Sequence, residues 1–312
     1  MDKTVAQLKA LCKERNIKGI SNKTKAELVA MLHVPVPVKI LRQDIIHGDC
    51  LHIMPTLESE SAQIIIADPP YNIGKDFGND SDTRTMEEYL QWCEQWILEC
   101  LRILKPNGTM FIYGFSETLA LILSKVPLII QRRWIIWHYT NKNIPSLHFW
   151  QRSHESILIL WKSEKVFHRD EIREAYTDGY LGAAGKERKA TKGRYGEKKS
   201  TYTAHINGAL PRDVIKIPAL AGGAGMNERV DHPTQKPLAL CDKLIRSCKQ
   251  SDGYVLVPFA GSGSECVAAQ KNDLSFIGIE LNHDYIQLIH QRLTEQTPVD
   301  PTTSESGSST EE

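Results

Sequence analysis

Short apolar runs separated by longer amphipathic stretches set the rhythm of this chain from about residue 40 onward. Runs near residues 44–47, 63–67, 110–113, 133–138, 156–161, 254–257 and 276–279 have the length and β-branched content of strands. Between them lie helical patterns. In the clearest, residues 86–104, Tyr89, Trp92, Trp96, Leu101 and Leu104 recur at intervals of three to five before Lys105-Pro106-Asn107-Gly108 ends the pattern. Further helices are predicted near 238–249, 265–271 and 283–293. Strands alternating with helices predict an α/β, doubly wound domain.

The ends differ from this middle. Leu8, Leu11 and Cys12 repeat at helical spacing, residues 16–21 read as a turn, and a second helix follows over 25–32. Val34-Pro35-Val36-Pro37-Val38 makes an extended, semi-rigid linker. The expected organisation is a helical module (1–34), a linker (35–39), a main domain (40–296) and a disordered tail (297–312) rich in Thr, Ser and Glu. Within the main domain, residues 162–229 show no sustained period. Gly193, Gly196 and Gly208 break the segment, and Lys186, Arg188, Lys189, Lys192, Arg194, Lys198 and Lys199 cluster in it among Tyr176, Tyr180, Tyr195 and Tyr202. Cations interleaved with aromatics suit phosphate contacts and base stacking. A solvated insertion with no reading role is the plainer alternative.

Candidate chemistry sits at two strand ends. Asp68-Pro69-Pro70-Tyr71 follows the apolar run 64–67. It presents an acid, two rigid carbonyls and an aromatic ring where open α/β sheets bind ligands. Such a set suits a flat heterocycle bearing an amine: Tyr71 to stack, Asp68 and the Pro69 carbonyl to accept its hydrogen bonds. The second strand, 254–257, runs into Pro258-Phe259-Ala260-Gly261-Ser262-Gly263-Ser264, and the next strand ends in Glu280. A glycine turn between strand and helix, followed by such an acid, is the pattern of a nucleoside site.

These residues carry a family resemblance over roughly residues 40–295. In order come Gly48-Asp49-Cys50, Asp68-Pro69-Pro70-Tyr71-Asn72, Leu104-Lys105-Pro106-Asn107-Gly108-Thr109, His154-Glu155-Ser156-Ile157-Leu158-Ile159, His232-Pro233-Thr234-Gln235-Lys236-Pro237 and the glycine turn. The chain resembles the β-class amino DNA methyltransferases, which use S-adenosylmethionine. The resemblance implies a Rossmann-like, mostly parallel seven-stranded sheet with one antiparallel strand, the acceptor half being encoded before the donor half. It implies that Asp68, Pro69, Pro70 and Tyr71 are catalytic. Phe259, Gly261 and Gly263 would wrap the cofactor, Glu280 would accept from its ribose, Thr234 and Lys236 would lie near its carboxylate, and Asp49 and Cys50 beside its adenine. The family often has an acid where this chain has Val257, which puts one polar contact in doubt. Asp at position 68 favours adenine N6 by family habit. Cytosine N4 and a catalytically inactive DNA-binding scaffold are the alternatives.

The N-terminal module resembles a SAP unit, a helix-extended-helix motif that binds duplex DNA, through Leu8, Leu11, Gly19, Ser21, Lys23, Lys25, Leu28 and Leu32. A hairpin that only packs is the alternative. Lys23, Lys25, Lys186, Arg188, Lys189, Lys192 and Arg194 are therefore the expected DNA contacts.

Composition changes this picture little. Lys and Arg equal Asp and Glu at 38 each, so any nucleic-acid surface must be local. Seven cysteines, with no Cys-x-x-Cys pair, suggest reduced thiols and no metal site. Cys93 and Cys100 share a helix face, as do Cys241 and Cys248. No signal peptide or spanning apolar run is evident, so a soluble intracellular protein is expected, in cytoplasm or nucleoid, or in the nucleus of a eukaryote. Double-stranded DNA is the expected partner. A homodimer is left open.

Overall fold

The structure is a computed structural model and describes residues 3–14, 19–33, 41–74, 84–141, 146–183, 185–186, 203–223 and 225–295. The chain splits into two compact units, Met1–Leu41 and Arg42–Glu312. In the first, helices α1 (Val5–Glu14) and α2 (Lys25–His33) pack around Leu8, Cys12 and Leu28, with Ile20 and Val29 against them. Reciprocal side-chain and backbone bonds start each helix. The Thr4 and Gln7 pair does so for α1 and the Thr24 and Glu27 pair for α2.

The second unit contains the sheet. In chain order its elements are β1 (Gln43–His47), α3 (Cys50–Ile53), β2 (Ala62–Ala67), α4 (Met86–Ile103), β3 (Leu104–Gly114), α5 (Ser116–Leu123), β4 (Gln131–His138) and β5 (His154–Trp161). There follow α6 (Asp178–Ala183), β6 (Val214–Lys216), α7 (Leu238–Cys248), β7 (Tyr254–Val257), α8 (Ser264–Lys271), β8 (Ser275–Glu280) and α9 (His283–Glu295). The strand order is β1-β8-β7-β2-β3-β5-β4-β6. Only β5 runs antiparallel to its neighbours.

The sheet therefore corrects the expected count: it has eight strands among the described residues. The addition is β6, three residues on the edge of β4, within the segment that shows no period in sequence. Strand β3 also begins earlier than expected, because Leu104 already pairs with Ala62 and carries the supposed turn 105–108 into the strand.

Strand β2 explains the core. Ile65 and Ala67 face one layer, with Trp96, Ile97 and Cys100 of α4. Ile64 and Ile66 face the other, with Leu240, Cys241 and Leu244 of α7 and residues of α8 and α9. A strand buried on both faces reads as a continuous apolar run, which is what 64–67 is. All seven cysteines are buried and free. No helix among the described residues is long and apolar enough to cross a membrane.

From β2 the chain continues to β3 on one side, while β7 continues to β8 on the other. The crevice between β2 and β7 is thus a topological switch point, where ligands bind in such sheets.

Candidate active site

Both chemical segments open into this crevice. Asp68 leaves β2 and Pro258 leaves its parallel neighbour β7, so the two turns stand side by side. The cleft between them is lined by Gly48, Asp49 and Cys50, by Asp68 to Tyr71, by His232, Thr234 and Lys236, by Pro258 to Ser262, and by Glu265 and Glu280. It holds about 1060 Å³ of empty space, counting its solvent-open mouth.

Asp68 is held from two sides. Its Oδ1 accepts the Tyr71 hydroxyl at 2.8 Å and its Oδ2 accepts the Lys236 ammonium at 2.7 Å. Glu155, buried in β5, extends the cluster: its Oε2 lies 3.2 Å from the Tyr71 hydroxyl and 3.7 Å from Lys236 Nζ, and its Oε1 accepts from Tyr139 at 3.2 Å. Burial pulls the Lys236 pKa down, but the Asp68 and Glu155 charges outweigh it and hold the ammonium above its ordinary range. Burial, then the Asp68 charge, pushes the Tyr71 phenol up, so it remains a donor. The Tyr71 ring packs edge-on to Phe115, centroids 5.1 Å apart, with Lys236 Nζ 5.4 Å from its centre. The Pro70 carbonyl is taken by the Tyr89 hydroxyl at 2.8 Å.

The glycine turn is tied to β8. The Gly261 N–H donates to Glu280 Oε2 at 2.7 Å, and the Asn282 N–H to Glu280 Oε1 at 2.8 Å. Burial raises the Glu280 pKa against these bonds. A carboxylate has about four acceptor positions, so both oxygens retain capacity for ligand hydroxyls. Gly261 has φ 49°, and a Cβ there would sit 2.9 Å from His232 Nε2. Asp49 caps α3, accepting from the Leu51 N–H at 2.9 Å. Cys50 is buried beside it, and burial pushes its thiol up. Phe259 packs tilted against Trp92 and edge-on against Trp96 while lining the cleft.

Some expectations need amendment. Gly263 does not line the cleft. It caps α8 at φ 75°, and a Cβ there would collide with Ile289, so backbone conformation and close packing already require the glycine. Lys236 reaches Asp68 itself, not only the donor side of the cleft. Lys23 is partly exposed and paired with Glu27 at 2.9 Å, and Lys186 is exposed. Arg188, Lys189, Lys192 and Arg194 lie outside the described residues.

Two site acids were missed from sequence. Glu155 is the second residue of β5, in the polar triplet His154-Glu155-Ser156 that precedes the apolar run 157–161, and its burial there is the signal that marks it. Glu265 lies in the first turn of α8, buried in the cleft, with the Cys241 thiol as a weak hydrogen-bond partner at 3.4 Å. Burial, then the Asp68 charge, pushes its pKa up to about 7. His232, half-buried in the lining, is pulled down to about 4 by desolvation and then by the Lys236 charge.

This donor set fits a nucleoside carrying a cationic arm. Asp49 and Glu280 can accept from hydroxyls and ring amines, while Asp68 and Glu265 favour positive charge. The site holds no cluster suited to a metal ion among the described residues.

Comparison with known proteins agrees with this chemistry. The DNA methylase family model for N6 and N4 enzymes matches residues 62–291. The chain is 32% identical over 252 residues to the DNA adenine methyltransferase YhdJ of Escherichia coli (strain K12), covering 80% of this chain and 82% of that protein. It is 30% identical over 254 residues to the type II methyltransferase M.HpaI of Haemophilus parainfluenzae, covering 80% and 74%. Among solved structures, the cytosine-N4-specific PvuII DNA methyltransferase shares the fold at TM-score 0.57 and 15% identity, over 83% of this chain and 87% of that one. A putative DNA modification methylase of Thermus thermophilus, complexed with S-adenosyl-L-methionine, does so at 0.54 and 20%, over 82% and 95%. With its family model spanning most of the sheet and both turns of the crevice, the chain belongs to the amino DNA methylases.

Proposed function

We propose that this protein transfers a methyl group from S-adenosylmethionine to adenine N6 in duplex DNA, taking the target base out of the stack. The observation that carries the reading is the crevice itself. Asp68-Pro69-Pro70-Tyr71 and the Gly261–Glu280 turn open side by side into one cleft. The relative YhdJ is a DNA adenine methyltransferase, which supports N6 over cytosine N4.

When bound, S-adenosylmethionine supplies an electrophilic methyl on a positively charged sulfur. Glu280 and Asp49 would hold its ribose and adenine, and Phe259, Gly261, Thr234 and Lys236 the rest. The protein's remaining task is the acceptor. An exocyclic amine is a poor nucleophile because its lone pair is delocalised into the ring. Asp68 and the Pro69 carbonyl accept its two hydrogens, favour a pyramidal nitrogen and localise that lone pair. Tyr71 and Lys236 fix the Asp68 carboxylate, so the amine is oriented before the bond forms, a proximity effect. As N6 gains the methyl it loses one proton, which Asp68 receives directly or through water. An adenine paired within a duplex cannot enter such a cleft, so it is flipped out.

The N-terminal unit is read as a SAP-like DNA-binding module, and the basic segment 162–229 as the region that reads the target. The test is incubation with unmethylated genomic DNA and isotope-labelled cofactor, followed by mass spectrometry of the nucleosides. Labelled N6-methyladenine is expected. N4-methylcytosine would reassign the acceptor, and cofactor binding with no labelled nucleoside would make the fold a scaffold.

A further inference from the structure

The connection between β4 and β5 begins and ends at the carboxyl end of the sheet, since His138 pairs with His154 in the antiparallel ladder. That is the end from which Asp68 and Gly261 project. On this connection Leu147, Phe149 and Trp150 are 86%, 80% and 87% exposed. One exposed apolar residue is ordinary. Three large ones within four positions, beside a ligand cleft, mark an interaction surface. The stretch from Tyr139 to Ser153 also contains Lys142, His148 and Arg152 and no aspartate or glutamate. Its charge suits a polyanion.

The root of the connection is fixed to the site. The Tyr139 N–H donates to the Ser153 carbonyl at 2.9 Å, and Asn141 Nδ2 to the Ala219 carbonyl at 2.6 Å. Arg152 lies over the Phe115 ring, 4.1 Å from its centre. Phe115 meets Tyr71, whose hydroxyl donates to Asp68. The apolar side chains therefore stand on a base continuous with the catalytic tetrapeptide.

We propose that Leu147, Phe149 and Trp150 form an apolar wedge that enters the DNA stack beside the target base and fills the space left as that base turns into the Asp68 cleft. This rests on the base-methylation reading above. Extruding a base loses its pairing and stacking, and apolar or aromatic side chains inserted between base steps offset part of that loss. The wedge assists extrusion. It does not touch the amine.

The test uses a short duplex bearing the site mapped by sequencing plasmid DNA methylated by the wild-type protein. One form is fully paired and the other has the target adenine opposite an abasic position, where extrusion costs less. Failure of the wild type to methylate any DNA would sink the base-methylation reading itself and is seen before any variant is made. With an active wild type, the double variant Phe149→Ala, Trp150→Ala is expected to lose about tenfold or more in single-turnover rate on the paired duplex, and to recover most of it on the abasic form. Trp150→Phe should retain most activity on both, and cofactor affinity by calorimetry should not change. Equal losses on both duplexes, or no loss, would overturn the proposal. So would a change in sedimentation behaviour that accounts for the loss, because it would make these residues a contact between two copies of the chain.

Discussion

Lys236 Nζ lies 2.7 Å from Asp68 Oδ2, although the two residues are 168 positions apart. Glu155 shares the ammonium at 3.7 Å. One buried cation thus serves two acids, one just past the end of β2 and one in β5. Removing the cation leaves both acids uncompensated, whereas removing Asp68 leaves Lys236 its pairing with Glu155. Lys236→Met is expected to destabilise the protein by about 3–5 kcal/mol, the usual cost of breaking a buried pair. Asp68→Ala should cost less stability, abolish methyl transfer and leave cofactor binding largely intact. Urea unfolding, calorimetry and a methylation assay on the two variants check the order. A Lys236→Met protein as stable as wild type would dissolve the cluster argument, and an active Asp68→Ala protein would remove Asp68 from the mechanism.

Glu280 joins the glycine turn to β8 and faces the cleft. Its loss removes an acceptor for a cofactor hydroxyl and the partner of the Gly261 N–H together. Glu280→Ala should weaken S-adenosylmethionine binding by roughly 1.5–3 kcal/mol, the range for bonds to charged groups. That is about a tenfold or larger rise in the dissociation constant. An unchanged constant by calorimetry would show that Glu280 only shapes the turn.

Two titrating groups in the cleft, buried Glu265 and half-buried His232, pull stability in opposite directions over the same pH range. Glu265 is raised from 4.5 to about 7, so the folded state holds its proton more tightly than the unfolded state does. Its contribution is full below pH 4.5 and is lost as pH rises toward 7. His232 is lowered from 6.5 to about 4, so the unfolded state binds the proton more tightly. Its contribution is present above 6.5 and is lost as pH falls toward 4. These two contributions should therefore largely cancel between these limits. Glu265→Gln should leave the histidine effect alone, giving a melting temperature that climbs with pH from 4 to 6.5. A variant whose melting profile parallels wild type would mean that Glu265 does not titrate there.

What the sequence made legible follows from how local each feature is. Strand β2 is legible because burial on both faces needs an unbroken apolar run. Helix α4 is legible because its apolar stripe lies within one segment; its capping pair, Thr85 and Glu88, was an equally local signal that went unread. Strand β6 is not, since its three residues owe their state to pairing with Ile136 to His138. The start of β3 was hidden because Pro106 and Gly108 are turn formers whose propensity the parallel pairing overrides. At the site, the two chemical turns were legible as motifs. The ion cluster was not, because Asp68, Glu155 and Lys236 come together only when β2, β5 and the segment before α7 converge. The close packing at Gly263 was not legible for a related reason: its neighbour Ile289 lies on α9.

The N-terminal unit and the basic segment should separate when tested against DNA. The unit of α1 and α2 has a three-residue buried core, and its described lysines include Lys9, Lys23 and Lys25. So small a surface can contact phosphates but offers little for reading several bases. Deleting residues 1–34 should weaken DNA binding and flatten the fall of affinity with salt, because fewer counterions are released. The set of methylated sites should stay the same. Neutralising Lys186, Arg188, Lys189 and Lys192 should instead impair turnover on duplex DNA with the N-terminal unit present, since that segment is read as holding DNA against the cleft. Binding titrations over a range of salt concentrations and sequencing of the methylated product measure both effects. A truncated protein that methylates different sites would move recognition into the N-terminal unit. One with unchanged affinity and salt slope would leave α1 and α2 as a packing element only.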